Sequence, residues 1–336
     1  MRLAAVGDIM IDHSFSPSNP PFNRAFQITS GADLFLANLE IPFGTVGSPK
    51  EKMYAYRCEP SVAKVLLALG VDVVSLANNH MLDYGEEVML QTLGILTRMR
   101  IPHVGAGRNM KEASRPIFLR RRGIRVAFMS LAATLPLGAA ASENRPGIAP
   151  VHVSTSYEVD PTSLQEQPGD PPKIRTRVDI GDEDRICSNI REVKGKADHV
   201  VVGIHWGIAF AKQRAEYQQP LARRMIEAGA SLIVGHHPHI RHGIECYRKG
   251  VILYSLGDFI FHDRAEMTGE SGIVATVELH RSKIRELRLW PISVDAKAGL
   301  PVLGDGREGK QLLEEMRQLS PGEDFNLDGE SVKVIL

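Results

Sequence analysis

The sequence predicts an α/β protein built on buried sheet, and three observations carry that reading. Short apolar runs alternate with amphipathic helical stretches from the N-terminus onward. Several of these runs are continuous rather than alternating, as strands buried on both faces are. Five of them end in a polar residue able to ligate a metal or move a proton: Asp8, Glu40, Asn79 with His80, His205, and His237 with His239. In a sheet-based fold such strand ends converge on one rim, where open α/β sheets place their ligands.

The elements follow in order. Arg2–Val6 reads as the first strand and leads into Gly7-Asp8. Leu34–Ala37 is the second, ending at Asn38-Leu39-Glu40. Pro60–Leu69 is helical, with Pro60 suited to the first turn and Gly70 to the stop. Val71–Ala77 is the third strand, ending at Asn78-Asn79-His80, and a helix runs from Glu86 to Met99. His103-Val104 is a short strand. Arg115–Arg120 and Ile124–Leu131 form a hairpin, with Arg120-Arg121-Arg122 a solvated turn. Residues 154–183 are rich in Pro, Asp, Ser and Gly, and are expected to be a mobile loop insertion. Ile186–Val193 is a helix, Asp198–Ile204 a strand and Gln219–Gly229 a helix. Ala230–Val234 is a buried strand that delivers Gly235-His236-His237-Pro238-His239. Val251–Leu256 leads to Gly257-Asp258-Phe259, and a closing hairpin spans Gly272–His280 and Ile284–Trp290. Residues 1–300 are therefore expected to form one domain, and 301–336 a peripheral tail with a helix at Gly309–Leu319.

Composition narrows the function. The 336 residues carry 40 basic and 40 acidic side chains, so no general attraction to nucleic acid or an anionic membrane is built in. Three scattered cysteines form no CxxC pair and suit a reducing compartment. A strand-like run begins at Leu3, and no apolar run approaches the length of a membrane span. A cytoplasmic protein with no membrane segment is the expectation.

Three histidines crowd the end of one strand, and core packing does not require them. Taken singly, each rim residue has a plain structural reading. Asp8 can form a turn, Glu40 can be a loop carboxylate, Asn78-Asn79 a turn, and His205 a buried core histidine. Recurrence at five strand ends favours a shared site. Carboxylates, an amide oxygen and imidazoles make a mixed O/N donor set that suits Mn, Fe, Zn or Ni.

With those residues identified, the chain resembles the calcineurin-like metallophosphoesterase superfamily and, within it, the poly-γ-glutamate capsule-synthesis (CapA) family. The segments that carry the likeness are Gly7-Asp8-Ile9-Met10, Ala37-Asn38-Leu39-Glu40, Ala77-Asn78-Asn79-His80 with Asp83 and Gly85, His205-Trp206-Gly207, Gly235–His239, and Tyr254–Phe259. The resemblance implies a four-layer α-β-β-α sandwich, two mixed sheets flanked by helices. It implies one or two divalent ions per chain, held by Asp8, Glu40, Asn79, His205, His237 and His239. It makes His80 the acid or electrostatic group, with Asp83 fixing its tautomer. Asn38, Trp206, His236, Asp258 and His13 become auxiliary or substrate-facing candidates. The chain departs from the wider pattern at Met10, where a histidine is usual, at Ala209-Phe210 and at Asp258. Asp12 and His13 lie just beyond Met10 and are candidates to compensate.

Three functions remain open at this point. The first is a hydrolase using metal-activated water on a γ-glutamyl, peptide or phosphoester substrate. The second is a metal-dependent peptide epimerase acting by Cα proton abstraction. The third is a non-catalytic capsule-polymer assembly or binding protein.

Overall fold

The computed structural model describes residues 1–262 and 271–336. The chain begins with strand–helix units: β1 (Arg2–Met10), α1 (Asn23–Ser30), β2 (Leu34–Leu39), then a 3₁₀ turn at Pro60–Ala63 that continues as α2 (Lys64–Ala68). Next come β3 (Val73–Ser75), α3 (Glu86–Arg98), β4 (His103–Val104), β5 (Ala106–Gly107) and α4 (Met110–Ala113). β6 (Ile117–Arg121) and β7 (Ile124–Ala132) form the expected hairpin, followed by β8 (Gly147–Ile148). β9 (Val153–Glu158), α5 (Pro161–Glu166) and β10 (Lys173–Val178) precede α6 (Ile180–Lys194). Then follow β11 (His199–His205), α7 (Gln218–Ala228), β12 (Leu232–His236), β13 (Arg241–Tyr247) and β14 (Gly250–Leu256). The last part holds β15 (Asp258–Phe261), β16 (Ser271–His280), β17 (Lys283–Val294), β18 (Pro301–Leu303), α8 (Gly306–Leu319), β19 (Phe325–Asp328) and β20 (Ser331–Val334).

Two mixed sheets result. The ten-stranded sheet runs β19-β20-β17-β16-β1-β2-β3-β4, with β15 on β1 and β18 on β17. The six-stranded sheet runs β13-β14-β12-β11-β7-β6. In each, the central strands are parallel and the flanking hairpin strands antiparallel. Period-2 alternation then builds the layers. Leu3, Leu34 and Leu36 of the larger sheet meet Phe128, Val201 and Leu253 of the smaller one in a shared apolar layer. Their neighbours Ala4, Phe35 and Val74 face out against Leu66 of α2 and Met89 and Leu96 of α3. On the far side Met129, Val202 and Ile233 pack on Ile190 of α6 and Leu221 and Met225 of α7. The molecule is a four-layer α-β-β-α sandwich.

Two segments depart from expectation. Residues 154–183 are not a structureless loop: β9 and β10 pair through six residues, and Asp179 caps α6 through the Asp182 N–H. Five of the six β9 side chains are exposed, so the strand lacks the apolar pattern that would reveal it. Residues 301–336 are not a peripheral tail either. β18 and β20 both pair with β17. Leu313 and Met316 of α8 enter the layer between the sheets.

Candidate metal centre

Parallel strands point their C-terminal ends the same way, and the two sheets face each other with these ends together. Asp8 sits where β1 shifts register against both β2 and β15, the kind of irregularity that re-aims a side chain. Gly7 permits the close crossing there: a Cβ at this position would lie 1.9 Å from the Gly257 carbonyl oxygen. Glu40 and Asn79 follow β2 and β3, His205 ends β11, and His237 and His239 follow β12. His237 and His239 hold positive φ angles of 94° and 57°, left-handed backbone that costs about 1–3 kcal/mol at a non-glycine residue. Such strain collects at functional sites.

The atoms converge. His205 Nε2 lies 2.6 Å from Asn79 Oδ1, 3.2 Å from Glu40 Oε1 and 3.1 Å from His237 Nδ1. A single ring N–H cannot serve three lone-pair atoms, whereas a cation can. Glu40 is fully buried, and neither of its oxygens has a hydrogen-bond partner among the described residues. A buried carboxylate that accepts no hydrogen bond is costly to keep charged, even with imidazole nitrogens of His205, His239 and His80 at 3.2, 3.8 and 4.0 Å. His239 places Nε2 3.8 Å from Glu40 Oε1 and Nδ1 2.9 Å from Asp258 Oδ1. Three ligand sets emerge, Asp8–Glu40–His205, Glu40–His237–His239 and Asp8–His239–Asp258, each with its atoms within 4.8 Å of one another. Asp8 and Glu40 each belong to two sets, as bridging carboxylates do. These residues fit one or two N/O-preferring divalent ions.

Electrostatics agree with a cation-seeking cluster. Burial alone would raise the Asp8 carboxyl, but His236, then His205 and His239, hold it well below the carboxylate range. Burial, the Asp8 charge and the Asp258 charge push Glu40 well above its ordinary value. Burial and the neighbouring His237 push His205 down, and burial with His239 brings His237 to about 3. His239 is opposite: burial disfavours its charge, yet Asp258, Glu40 and Asp8 raise it to about 10.

Auxiliary positions separate clearly. Asn38 donates from Nδ2 to Asp8 Oδ1 at 2.8 Å, and the His237 N–H donates to Asp8 Oδ2 at 3.0 Å. His236 Nδ1 lies 3.0 Å from Asp8 Oδ1. His80 Nε2 is 4.0 Å from Glu40 Oε1, while its Nδ1 is 2.7 Å from Asp83 Oδ2. Burial lowers the His80 pKa against the pull of Asp83. Two candidates are corrected. Trp206 faces no substrate: it is fully buried, stacks on Tyr254 and donates from its indole to the Tyr254 carbonyl. His13 does not replace a ligand at Met10. It stacks on His262 instead, and Met10 is packed in the apolar core.

Lys52 escaped the sequence reading. Its Nζ donates to Asp83 Oδ1 at 2.6 Å and to the Asn79 carbonyl at 3.0 Å, locking the Asp83–His80 pair from a loop. Only its place in a charged run, Lys50-Glu51-Lys52, marks it in sequence, and such runs usually coat a surface. Phe210 covers the other side, its ring stacked 5.6 Å from His239.

Comparison with known proteins gives these residues a family. Residues 2–263 match the family model described as Bacterial capsule synthesis protein PGA_cap. Capsule biosynthesis protein CapA of Bacillus anthracis is 31% identical over 239 residues, which is 71% of this chain and 52% of that protein. The chain thus spans about half the length of that relative. PGA biosynthesis protein CapA of Bacillus subtilis (strain 168) is 29% identical over 320 residues, 93% of this chain and 76% of that one. A probable polyglutamine synthesis accessory protein of Mycobacterium tuberculosis is 28% identical over 247 residues, covering 71% and 59%. The solved structure of a hypothetical protein from Thermus thermophilus aligns with a TM-score of 0.47 at 15% identity, over 87% of this chain and 99% of that chain. With its family model spanning residues 2–263, the chain belongs to the bacterial capsule synthesis protein PGA_cap family, within the metallophosphoesterase-like superfamily.

Proposed function

We propose that this chain is a divalent-metal-dependent hydrolase acting on a γ-glutamyl or peptide amide. The observation that carries the reading is Glu40, buried without a hydrogen-bond partner among the described residues and surrounded by His205, His239 and His80. Asp8, Glu40, Asn79, His205, His237 and His239 would hold the metal. A bound divalent ion supplies Lewis-acid polarisation and acidifies water. The choice of amide follows the names of relatives, one a PGA biosynthesis protein and another a polyglutamine synthesis accessory protein.

His80 moves the proton. Its Nδ1–H is held by Asp83 Oδ2, so Nε2 presents the lone pair toward Glu40 and the reacting centre. With its pKa lowered, His80 starts neutral at physiological pH. Nε2 takes a proton from the attacking water and returns it to the departing amine. Lys52 keeps Asp83 in place while this happens.

Incubating the Mn²⁺- or Zn²⁺-loaded protein with poly-γ-glutamate in oxygen-18 water tests the proposal. Shortened chains with labelled new carboxyls are expected. His80→Gln is expected to lower the rate by about 10²–10⁴-fold at unchanged metal content. Polymer left intact with both metals would contradict hydrolysis. It would favour the binding-protein reading, which the core-packed Met10 and the accessory-protein names support. Deuterium entering Cα in heavy water without cleavage would favour epimerisation.

A further inference from the structure

A second group of ligand-type atoms lies past the C-terminal ends of β1 and β15. These strands run parallel with Met10 opposite Phe261, so the residues that follow them meet. His262 Nδ1 comes within 2.9 Å of Asp12 Oδ1, and His13 Nδ1 within 2.5 Å of the same oxygen. One carboxylate oxygen and two imidazole nitrogens thus lie within 4.8 Å of one another. None of these residues belongs to the Asp8–Glu40 sets.

The group is held in place rather than merely adjacent. The His262 ring stacks on His13 with centroids 4.0 Å apart and meets Phe15 edge-on at 5.8 Å. Gly299, at φ 66°, lets the chain pass against it: a Cβ there would lie 2.5 Å from the ring. The His262 side chain is 1% exposed, whereas those of Asp12 and His13 are 50% and 58% exposed. One ligand is therefore anchored in the body, and the other two open to solvent, which provides an entry path.

We propose that Asp12, His13 and His262 form an auxiliary site for one N/O-preferring divalent ion of the Zn²⁺ or Ni²⁺ class. Two imidazoles and a carboxylate are too few and too nitrogen-rich for a calcium cage, and they leave coordination positions for water. The ion ties the end of β1 to the end of β15. Phe261, which precedes His262, sets its ring edge-on to His239 at 5.2 Å, so the tie braces the rim of the central site. This inference does not rest on the proposed hydrolysis.

The test is Zn²⁺ titration by calorimetry, with elemental analysis after desalting, on Glu40→Gln and on the same protein carrying His13→Ala or Asp12→Asn. Because both added positions are half-exposed, the fold is expected to persist, and metal-free melting curves check this. The added substitutions should remove one Zn²⁺ per chain, or weaken its binding by more than about tenfold, a loss that even an outer-shell partner can cause. Zn²⁺ should raise the melting temperature of Glu40→Gln but not of the double variants. Equal stoichiometry and affinity in all three proteins would overturn the proposal, as would a Glu40→Gln protein that binds no Zn²⁺.

Discussion

At His239 the charge balance of the centre bears directly on the proposed metal binding. Although burial disfavours its charge, Asp258, Glu40 and Asp8 raise its pKa to about 10, so it is protonated at neutral pH in the metal-free protein. A ligating imidazole must be neutral. Binding of the proposed ion through His239 would therefore expel its proton. His205 and His237 are already neutral and contribute none. The sign is fixed: affinity rises with pH, about tenfold per unit between roughly pH 6 and 8 for each proton released. Calorimetric Mn²⁺ titrations in buffers of different ionisation enthalpy should show release of about one proton or more per ion. An apparent enthalpy independent of buffer would contradict this.

At the same scale, the sequence revealed residues that end apolar strands, because strand, polar stop and glycine are local signals. Asp8, Glu40, His205 and His237 are of that kind. Lys52 was illegible because it lies in a loop with no periodicity, and its partners Asp83 and Asn79 are 31 and 27 residues away, beyond α2 and β3. Trp206 misled because a motif neighbour is not necessarily a site neighbour. Strand alternation turns it away from the rim and into the helix-facing layer.

Among the elements, the β9–β10 arm reaches the centre through hydrogen bonds. The Tyr217 N–H donates to Thr176 Oγ1 at 3.2 Å, and the Gly207 N–H donates to the Tyr217 hydroxyl at 2.7 Å. The loop between them carries Phe210, whose N–H donates to the Pro238 carbonyl at 2.9 Å. Replacing residues 154–177 by a short Gly/Ser linker should therefore lower kcat/KM for the proposed hydrolysis, by up to about 100-fold, without changing how much of the proposed metal is bound. Metal loss, or unchanged kinetics, would contradict this link. The arm was missed in sequence because a polar, solvent-exposed hairpin looks like a loop. The continuous apolar strands β11, β12 and β14 were evident because both of their faces are buried.

For the whole molecule, the apolar layer between the sheets depends on the last thirty-odd residues. Met316 of α8 is fully buried in that layer, and β20 extends the larger sheet. Met316→Ala should destabilise the protein by about 2–5 kcal/mol, read as a lower denaturant midpoint. A change below about 0.5 kcal/mol would mean that the segment is dispensable. Its role was hidden because β18 and β20 are only three and four residues long and take their stability from β17, a partner the local sequence does not announce.

The sandwich brings two sets of strand ends together, and the central claim is that they hold a divalent ion through Glu40. Elemental analysis of the wild-type protein and of Glu40→Gln, both purified without chelators or metal-binding tags and then incubated with Mn²⁺ and Zn²⁺, tests it most directly. The wild type should retain at least one equivalent of Mn, Fe, Zn or Ni per chain that Glu40→Gln lacks. Equal metal content in the two proteins, or none in either, would contradict the claim.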